Sequence, residues 1–411
     1  MGNAPEEHHR ETIWGEDDDS IWTKYPKESV HLTWIVLKSN YVNVLLVFVP
    51  LGIIAGALDW NPTAVFILNF LAIVPLAALL SFATEELSVK LGQTLGGLMN
   101  ASFGNAVELI VSIVALSKGQ IRIVQASMLG SILSNVLLVL GCCFIAGGIR
   151  GGEQSFNATV ASTMSSLMAV SSACLIIPAT LWAVIVNSDD DSQNKDVLAL
   201  SRGTSIIMLI LYILYLFFQL KTHSHLFDEE RASENEEAEE PTLQPIPAGI
   251  MLVIVTVFVA LCAEYLVDSI DSIVATSGIS KTFIGLILLP IVGNAAEHVT
   301  ACVVAYKHKM DLAINVAIGS SLQIALFVTP FLVILGWIMG QNMDLNFQGF
   351  ETVVFFITVL VVNYLIQDGK SNYLEGAMCL GMYIIIAIAF FVKPEAAHDL
   401  GHFAKNFFTS H

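Results

Sequence analysis

Two short segments of the sequence place a glutamate in an apolar stretch, three residues after an asparagine. The segment GNAVELI contains Asn105 and Glu108, and the segment GNAAEHV contains Asn294 and Glu297. Residues three apart share a helix face, so we expect each amide to lie beside its carboxylate. In the hydrocarbon core of a membrane, a carboxylate must be protonated or paired with a cation. A site that alternates between these two states exchanges protons for a cation.

A second pair of polar segments, GSILSN and GSSLQI, follows the two glutamates and supplies neutral oxygens. The glycine before each asparagine allows backbone carbonyls to turn inward, as in the discontinuous helices of transporters. Carboxylate, amide, hydroxyl and carbonyl oxygens suit Ca²⁺, and these segments contain no Cys or Met that would favour a soft metal. Two carboxylates also balance the charge of one Ca²⁺, which two protons can replace. The predicted metal ligands are Glu108, Glu297, Asn105, Asn294, Ser131, Ser320, Gln323, Gly104 and Gly293.

Four further ionisable residues are candidates for proton coupling. Glu85, Glu86 and Glu264 end or interrupt two apolar segments at roughly corresponding places, and His298 directly follows Glu297. The three acids could relay protons, gate a vestibule or lie at a membrane interface, whereas His298 could tune its neighbour or simply form a hydrogen bond. The predicted transport and proton-coupling set is therefore Glu108, Glu297, Glu85, Glu86, Glu264 and His298.

The elements that must hold these residues are predicted to be membrane-spanning helices. The chain has 411 residues, of which 55% are hydrophobic and only 13% are charged, too few charges for the surface of a soluble protein of this size. Its apolar runs approach the ~20 residues that a helix needs to cross the hydrocarbon core. We predict an all-α polytopic membrane protein with about eleven transmembrane helices, near residues 40–58, 62–90, 93–117, 121–147, 157–186, 198–221, 246–275, 280–306, 310–339, 350–366 and 373–392.

The two motif regions belong to an internal repeat. The residue numbers of the two regions differ by one constant, which we call the repeat offset. With this offset Glu297 aligns with Glu108, and the segment that begins at Gly319 aligns with the one that begins at Gly130. One extra leading helix plus two five-helix repeats accounts for the predicted segments. Because five is odd, the second repeat is inverted in the membrane, and the two glutamates meet near the midplane. The predicted divisions are an acidic cytosolic N-terminal tail (1–36), the extra helix (37–60), the first repeat (61–222), an acidic cytosolic linker (223–247), the second repeat (248–393) and a short C-terminal tail (394–411).

Acidic residues are concentrated outside the predicted helices, and the net charge is −18. This charge disfavours nucleic-acid binding, since no basic surface is apparent. The acidic linker is either a solvated connector or a segment that gathers Ca²⁺. Its candidate regulatory Ca²⁺ ligands are Asp228, Glu229, Glu230, Glu234, Glu236 and Glu237.

The segments GNAVELI, GSILSN, GNAAEH and GSSLQ resemble the paired repeats of the calcium/proton exchangers of the cation/calcium antiporter superfamily, and especially of their fungal vacuolar members. The resemblance extends from about Asn43 to Phe391 and includes the extra leading helix and the acidic linker.

This resemblance implies the movement of cytosolic Ca²⁺ into a vacuole or another acidic endomembrane compartment in exchange for luminal H⁺. Members of that family often carry Mn²⁺ as well. The resemblance assigns Glu108 and Glu297 as the essential carboxylates, surrounded by Asn105, Asn294, Ser131, Ser320 and Gln323.

The residues therefore favour an antiporter working by alternating access, with Ca²⁺ and H⁺ as substrates, membrane lipid as its environment and no cofactor. No protein partner is indicated. One alternative is a sodium-coupled calcium exchanger of the same superfamily, and another is a membrane sensor or scaffold that does not transport. An enzyme is disfavoured, since the sequence has no HExxH motif.

Overall fold

The computed structural model describes residues 40–185, 192–227 and 244–392. The described residues from Val42 onwards belong to one compact unit, while Asn40 and Tyr41 fall in a separate one. The two predicted tails and most of the acidic linker, with its six candidate Ca²⁺ ligands, lie outside the described residues.

The described chain is almost entirely helical. Five stretches with π-helical hydrogen bonding interrupt or extend the α-helices, at Ser134–Val139, Phe218–Thr222, Ile284–Leu288, Asn315–Gly319 and Ile324–Val328. Short 3₁₀ turns cover Tyr41–Val47 and Ser224–Phe227. The α-helices are α1 (Phe48–Ala57), α2 (Pro62–Phe103), α3 (Ala106–Ser117), α4 (Ile121–Leu133), α5 (Leu140–Gly151), α6 (Ala158–Ile185), α7 (Ser192–Phe217), α8 (Pro245–Ser277), α9 (Lys281–Phe283), α10 (Leu289–Gly293), α11 (Ala295–Tyr306), α12 (Met310–Ile314), α13 (Ser320–Gln323), α14 (Thr329–Met339), α15 (Gly349–Leu365) and α16 (Tyr373–Val392).

Within the described ranges, seven helical stretches are long and apolar enough to cross a membrane. An eighth is bent by 57° between Lys281–Gly293 and Ala295–Tyr306. Three shorter apolar helices complete the set, at Tyr41–Ala57, Ala106–Ser117 and Gly349–Leu365. These elements correspond to the predicted segments, and the all-α membrane fold is confirmed.

One predicted boundary differs in the structure. The second and third segments were expected to separate near residue 91, but α2 continues without interruption from Pro62 to Phe103. The sequence around Gly92 contains no proline, and a single glycine is tolerated inside a helix at a cost of about 1 kcal/mol. The helix instead ends at the GN motif, where Asn105 leaves helical geometry with φ −105° and ψ 32°.

Polar contacts join helices of the two halves at one end of the bundle, which we call the Lys118 face. The Arg122 guanidinium forms an ion pair with the Glu351 carboxylate, whose side chain is fully buried. Close by, the Gln125 amide donates a hydrogen bond of 2.7 Å to the Asp344 carboxylate. These contacts hold the start of α4 against the loop and helix that follow α14.

A second set of contacts joins the halves at the opposite end, which we call the Lys307 face. The backbone N–H of Asn157 donates to the Asp311 carboxylate at 2.6 Å. An ion pair of 2.7 Å links Lys370 to Glu153. Between them, the two-residue strands β1 (Gln154–Ser155) and β2 (Lys370–Ser371) pair antiparallel.

The positions of equivalent residues demonstrate the inversion of the repeat. Arg122 and Asp311 are related by the repeat offset, and each is the second residue of its helix. Arg122 lies at the Lys118 face, whereas Asp311 lies at the Lys307 face. The two repeats therefore run in opposite directions across the bundle, as the odd number of helices predicts.

Candidate ion-binding site

Each motif glutamate lies in the first turn of a helix that starts at a break. Glu108 is in the first turn of α3, after Asn105, and Glu297 is in the first turn of α11, after Asn294. Neither asparagine side chain caps its own helix, so both amides remain available for other partners. The first turn of a helix presents unpaired backbone N–H groups and the positive end of the dipole, which stabilise a carboxylate there.

The Glu297 side of the site is a connected hydrogen-bond network. The Asn105 amide donates to Gln323 Oε1 at 2.8 Å, and the Asn135 amide donates to Ser320 Oγ at 3.2 Å. Ser320 Oγ lies 2.8 Å from Asn105 Oδ1 and 3.4 Å from Glu297 Oε2. A hydroxyl has a single proton, so it donates to one of these two oxygens at a time. The network joins groups from both repeats.

The Glu108 side of the site differs, because its polar atoms have few protein partners. Glu108 Oε1, Asn294 Nδ2 and Ser131 Oγ are buried and have no hydrogen-bond partner within the described ranges. Buried polar atoms are normally satisfied. The two oxygens are therefore available to a cation or to water, whereas the Asn294 N–H groups can only donate to an acceptor such as water.

Glycine at position 293 allows the two motifs to approach each other closely. A Cβ at Gly293 would lie 2.8 Å from Glu108 Oε1, a contact that a real side chain could not make without displacing the carboxylate. At Gly104, the equivalent Cβ would lie 2.8 Å from the Asn100 carbonyl oxygen and 3.5 Å from Gln323 Oε1. The structure thus brings the Glu108 carboxylate against the break that precedes Glu297.

His298 lies beside this centre and faces a different set of groups. Its Nε2 is 3.4 Å from Ser134 Oγ. With residues further along α11, His298 forms an open, mostly apolar surface on one side of that helix that ends at Lys307.

The other predicted proton-coupling residues lie outside this network. Glu86 is buried on α2, whereas its neighbour Glu85 is exposed. Glu264 is also exposed and lies 3.5 Å from the Lys118 ammonium group at the Lys118 face. The structure therefore places Glu264 at the Lys118 face, and Glu85 and Glu86 on α2.

The groups at the centre that could bind a metal ion offer oxygen atoms, and two of these groups are carboxylates. In the parts of the chain that the structure describes, no three His, Cys, Asp or Glu side chains are grouped so that they could hold a metal ion. A cation at the centre is therefore limited to two carboxylates and neutral oxygens, as the sequence predicted. Sequence reasoning left Asn135 out of the ligand set, although it lies in the GSILSN segment; its hydrogen bond to Ser320 of the other repeat became evident only in three dimensions.

The structure has two inverted helical repeats, each broken at its centre, and each contributes one carboxylate to a shared oxygen-rich site. These features define the class of secondary transporters with discontinuous helices.

Comparison with known proteins identifies the family within this class. Residues 61–221 and 248–392 match the family model described as sodium/calcium exchanger protein, and the chain belongs to this family. It is 53% identical to the vacuolar calcium ion transporter of Schizosaccharomyces pombe over 395 residues, which are 95% of each chain. It is 46% identical to vacuolar cation/proton exchanger 2 of Arabidopsis thaliana, over 92% of this chain and 87% of that one.

A solved structure agrees with the fold. The Ca²⁺/H⁺ antiporter protein YfkE superposes with a TM-score of 0.70 and 36% sequence identity, covering 88% of this chain and 100% of that one. The resemblance drawn from the four motif segments is confirmed.

Proposed function

We propose that the protein is a secondary antiporter that exchanges cytosolic Ca²⁺ for luminal H⁺ across a vacuolar or other acidic endomembrane. The observation that carries the proposal is the pair of carboxylates, Glu108 and Glu297, contributed by inverted repeats to one centre of neutral oxygens. The names of the relatives from Schizosaccharomyces pombe and Arabidopsis thaliana support both the ions and the compartment.

Charge balance gives the exchange its mechanism. With both carboxylates ionised, Glu108 and Glu297 neutralise one Ca²⁺, and the surrounding amide and hydroxyl oxygens replace part of its hydration shell. When both are protonated, the same site is neutral without the ion. A buried pair of carboxyls titrates as a coupled unit, so calcium release and proton uptake are linked. Ca²⁺ and H⁺ are the cargo, Mn²⁺ competes with Ca²⁺, and the exchange needs no resident cofactor.

Access to the site alternates between the two faces of the bundle. At the Lys118 face, the Arg122–Glu351 and Gln125–Asp344 contacts hold the two halves together. We assign the Lys307 face to the cytosol, together with the N-terminus and the acidic linker, and the Lys118 face to the lumen. The linker acids then gather Ca²⁺ at the cytosolic face.

The proton gradient is sufficient to drive this exchange. Each pH unit supplies about 1.4 kcal/mol per proton. Two protons moving across two pH units therefore supply about 5.5 kcal/mol, which supports a calcium ratio of about 10⁴ at zero voltage.

Calcium uptake by proteoliposomes tests the proposal. The purified chain is reconstituted, the voltage is clamped with K⁺ and valinomycin, and a pH gradient or a Na⁺ gradient is imposed. We expect uptake that follows the pH gradient. Uptake driven by Na⁺ alone would identify the sodium-coupled alternative, and no gradient-driven flux would identify a sensor or scaffold.

A further inference from the structure

Two buried hydroxyl groups between Glu108 and the Lys118 face have no partner in the part of the chain that the structure describes. They belong to Ser112, which is 1% exposed, and Thr329, which is 0% exposed. Most buried Ser and Thr hydroxyls on helices donate to a carbonyl of the preceding turn, as Ser171 does to Leu167 at 2.6 Å. Ser112 and Thr329 do not, which leaves both hydroxyls available for another partner.

The helix geometry places both hydroxyls close to the level of Glu108. Ser112 follows Glu108 by four residues on α3, so it lies on the same helix face, one turn nearer the Lys118 face. Helix α14 packs against α3, and Leu116 lies beside Gly336. Both helices run towards the Lys118 face. Thr329 precedes Gly336 by seven residues, which puts it about 10 Å deeper, near the level of Glu108.

An apolar layer separates these hydroxyls from the Lys118 face. Leu116 and Met343 are fully buried. Gly336 lies between them, and a Cβ at that position would lie 2.8 Å from the Met343 Cβ and 3.6 Å from Leu116 Cδ1. We call these three residues the apolar seal. Ser112 is the polar group that follows the seal on the way to Glu108.

The other half of the bundle lacks hydroxyls at the equivalent positions. With the repeat offset that aligns Glu297 with Glu108, Ser112 corresponds to Ala301 and Thr329 corresponds to Leu140. Helices α11 and α5, which carry Ala301 and Leu140, also pack against each other. Apolar side chains therefore fill the equivalent helix–helix contact in the other half. Packing alone does not require hydroxyls at these positions. Their presence in one half points to a role in that half.

We propose that Ser112 and Thr329 are proton-relay residues that connect Glu108 with the Lys118 face once the apolar seal opens. This inference rests on the proposed exchange of Ca²⁺ for H⁺. A hydroxyl both accepts and donates a hydrogen bond. A hydronium ion transfers a proton to the Ser112 oxygen, the original Ser112 proton passes to the Glu108 carboxylate directly or through the Thr329 hydroxyl, and water is left behind. Each hydroxyl ends with the one proton that it had at the start.

Titratable groups also lie on the helices packed against α3 and α14. Glu108 is on α3 itself, and Glu297 lies across the centre. Of the elements packed against α3, α2 carries Glu85, Glu86 and Lys90, and α4 carries Arg122, which pairs with Glu351. Helix α8 carries Cys262, Tyr265, the Lys281-paired Asp271, and the Lys118-paired Glu264 and Asp268.

Helix α7 packs against α14, which carries Thr329. It contributes Tyr212, which stacks on Phe327, and Arg202, whose guanidinium lies over the Trp337 ring.

Substitutions that remove only a hydroxyl test the relay. Ser112→Ala and Thr329→Val are compared with Thr329→Ser, which keeps the hydroxyl at position 329. Two control variants remove buried hydroxyls elsewhere: Ser171→Ala on α6, and Thr358→Val on α15, where the hydroxyl is also unpaired among the described residues. Calcium uptake is measured in vesicles of uniform orientation, with Ca²⁺ added at the Lys307 face and the pH varied at the Lys118 face.

We expect Ser112→Ala and Thr329→Val each to lower proton-driven uptake about five- to tenfold. This is the effect expected when proton transfer loses one hydrogen bond. The pH at the Lys118 face that gives half-maximal uptake should then be lower by about one unit. The apparent affinity for Ca²⁺ at the Lys307 face should stay the same, and Thr329→Ser and both controls should behave as the wild type.

Two results would overturn the relay while the wild type still exchanges Ca²⁺ for H⁺. One is an unchanged dependence on the pH at the Lys118 face in both Ser112→Ala and Thr329→Val. The other is a weakened Ca²⁺ affinity with no change in that pH dependence, which would make the hydroxyls calcium ligands. If Ser112→Ala does not fold, the comparison of Thr329→Val with Thr329→Ser decides. Failure of the proposed function itself is recognised separately, because the wild type would then show no response to the pH gradient.

Discussion

At the scale of single residues, the site depends on two carboxylates and on the glycine that lets them meet. Glu108 Oε1 has no hydrogen-bond partner among the described residues, whereas Glu297 is within reach of the Ser320 hydroxyl. The two carboxylates therefore have unequal surroundings although their motifs are repeated. Both are nevertheless needed to balance the charge of one divalent ion.

Replacing either carboxylate with its amide should abolish exchange. Glu108→Gln and Glu297→Gln keep the side-chain volume but remove the charge and the exchangeable proton. We expect both variants to remain folded, because a neutral amide is less costly than a carboxylate in the membrane. Proteoliposome uptake and size-exclusion chromatography measure the two properties, with Glu153→Gln as an exposed control. Substantial proton-coupled uptake by folded Glu297→Gln would contradict the mechanism.

The close approach at Gly293 predicts a second residue-scale effect. In Gly293→Ala, the added methyl group would lie 2.8 Å from Glu108 Oε1, so the carboxylate must move. We expect the apparent Ca²⁺ affinity to fall about tenfold, equivalent to ~1.4 kcal/mol. The matched control is Gly381→Ala, since nothing lies within 4 Å of a Cβ at that position. Equal Ca²⁺ affinities in the two variants would show that Glu108 is not held against position 293.

At the scale of the elements, the helix breaks position the site and the polar contacts at the two faces hold the repeats together. The α2–α3 and α10–α11 breaks both fall at the asparagine of a GN motif. Contacts at equivalent positions differ in chemistry: Arg122 forms an ion pair with buried Glu351, whereas Asp311 accepts from the backbone of Asn157. The two halves are thus joined by unequal interactions at the two faces.

The ion pair at the Lys118 face predicts a large effect on stability. Arg122→Met leaves the fully buried Glu351 carboxylate unpaired, and breaking a buried pair costs about 3 kcal/mol or more. Lys370→Met breaks an exposed pair with Glu153 and should cost at most about 1 kcal/mol. Thermal unfolding in detergent compares the two variants. The double variant Arg122→Met/Glu351→Gln should recover part of the loss, and an equally small effect of both single variants would show that Glu351 is not charged.

At the scale of the whole molecule, inversion of the repeats gives one site and two faces. The apolar seal of Leu116, Gly336 and Met343 covers the centre on the side of the Lys118 face. In the proposed exchange Ca²⁺ and H⁺ share the same carboxylates, so each must weaken the binding of the other by the same factor.

This shared site predicts opposite effects of acid on the two sides of the membrane. Acidifying the side from which Ca²⁺ enters should raise the apparent Michaelis constant, since protons compete for the carboxylates. Acidifying the opposite side should accelerate uptake. Calcium uptake and proton release are measured together in vesicles, with the voltage clamped by K⁺ and valinomycin. Uptake that ignores the pH of the opposite side would exclude exchange of Ca²⁺ for H⁺.

The sequence by itself determined the helical membrane fold and the inverted repeat, and it predicted which carboxylates lie at the centre. Long apolar runs leave a membrane chain few options other than helices, and one constant offset aligns the motifs around Glu108 and Glu297 without any structure. Hydrophobic periodicity and motif spacing are local properties, so a single sequence is enough to recognise them.

Only the tertiary structure decided which polar groups become partners. The contacts of Asn105 with Gln323, and of Gln125 with Asp344, join residues that are far apart in the sequence and belong to different repeats. The spacing of the motifs also does not reveal how Ser320 differs from its equivalent, Ser131. Ser320 is hydrogen-bonded, whereas Ser131 has no partner among the described residues. Equivalent positions in an inverted repeat face different neighbours, because the residues packed around them differ between the two halves. That difference in packing is absent from the repeated sequence and arises only when the helices assemble.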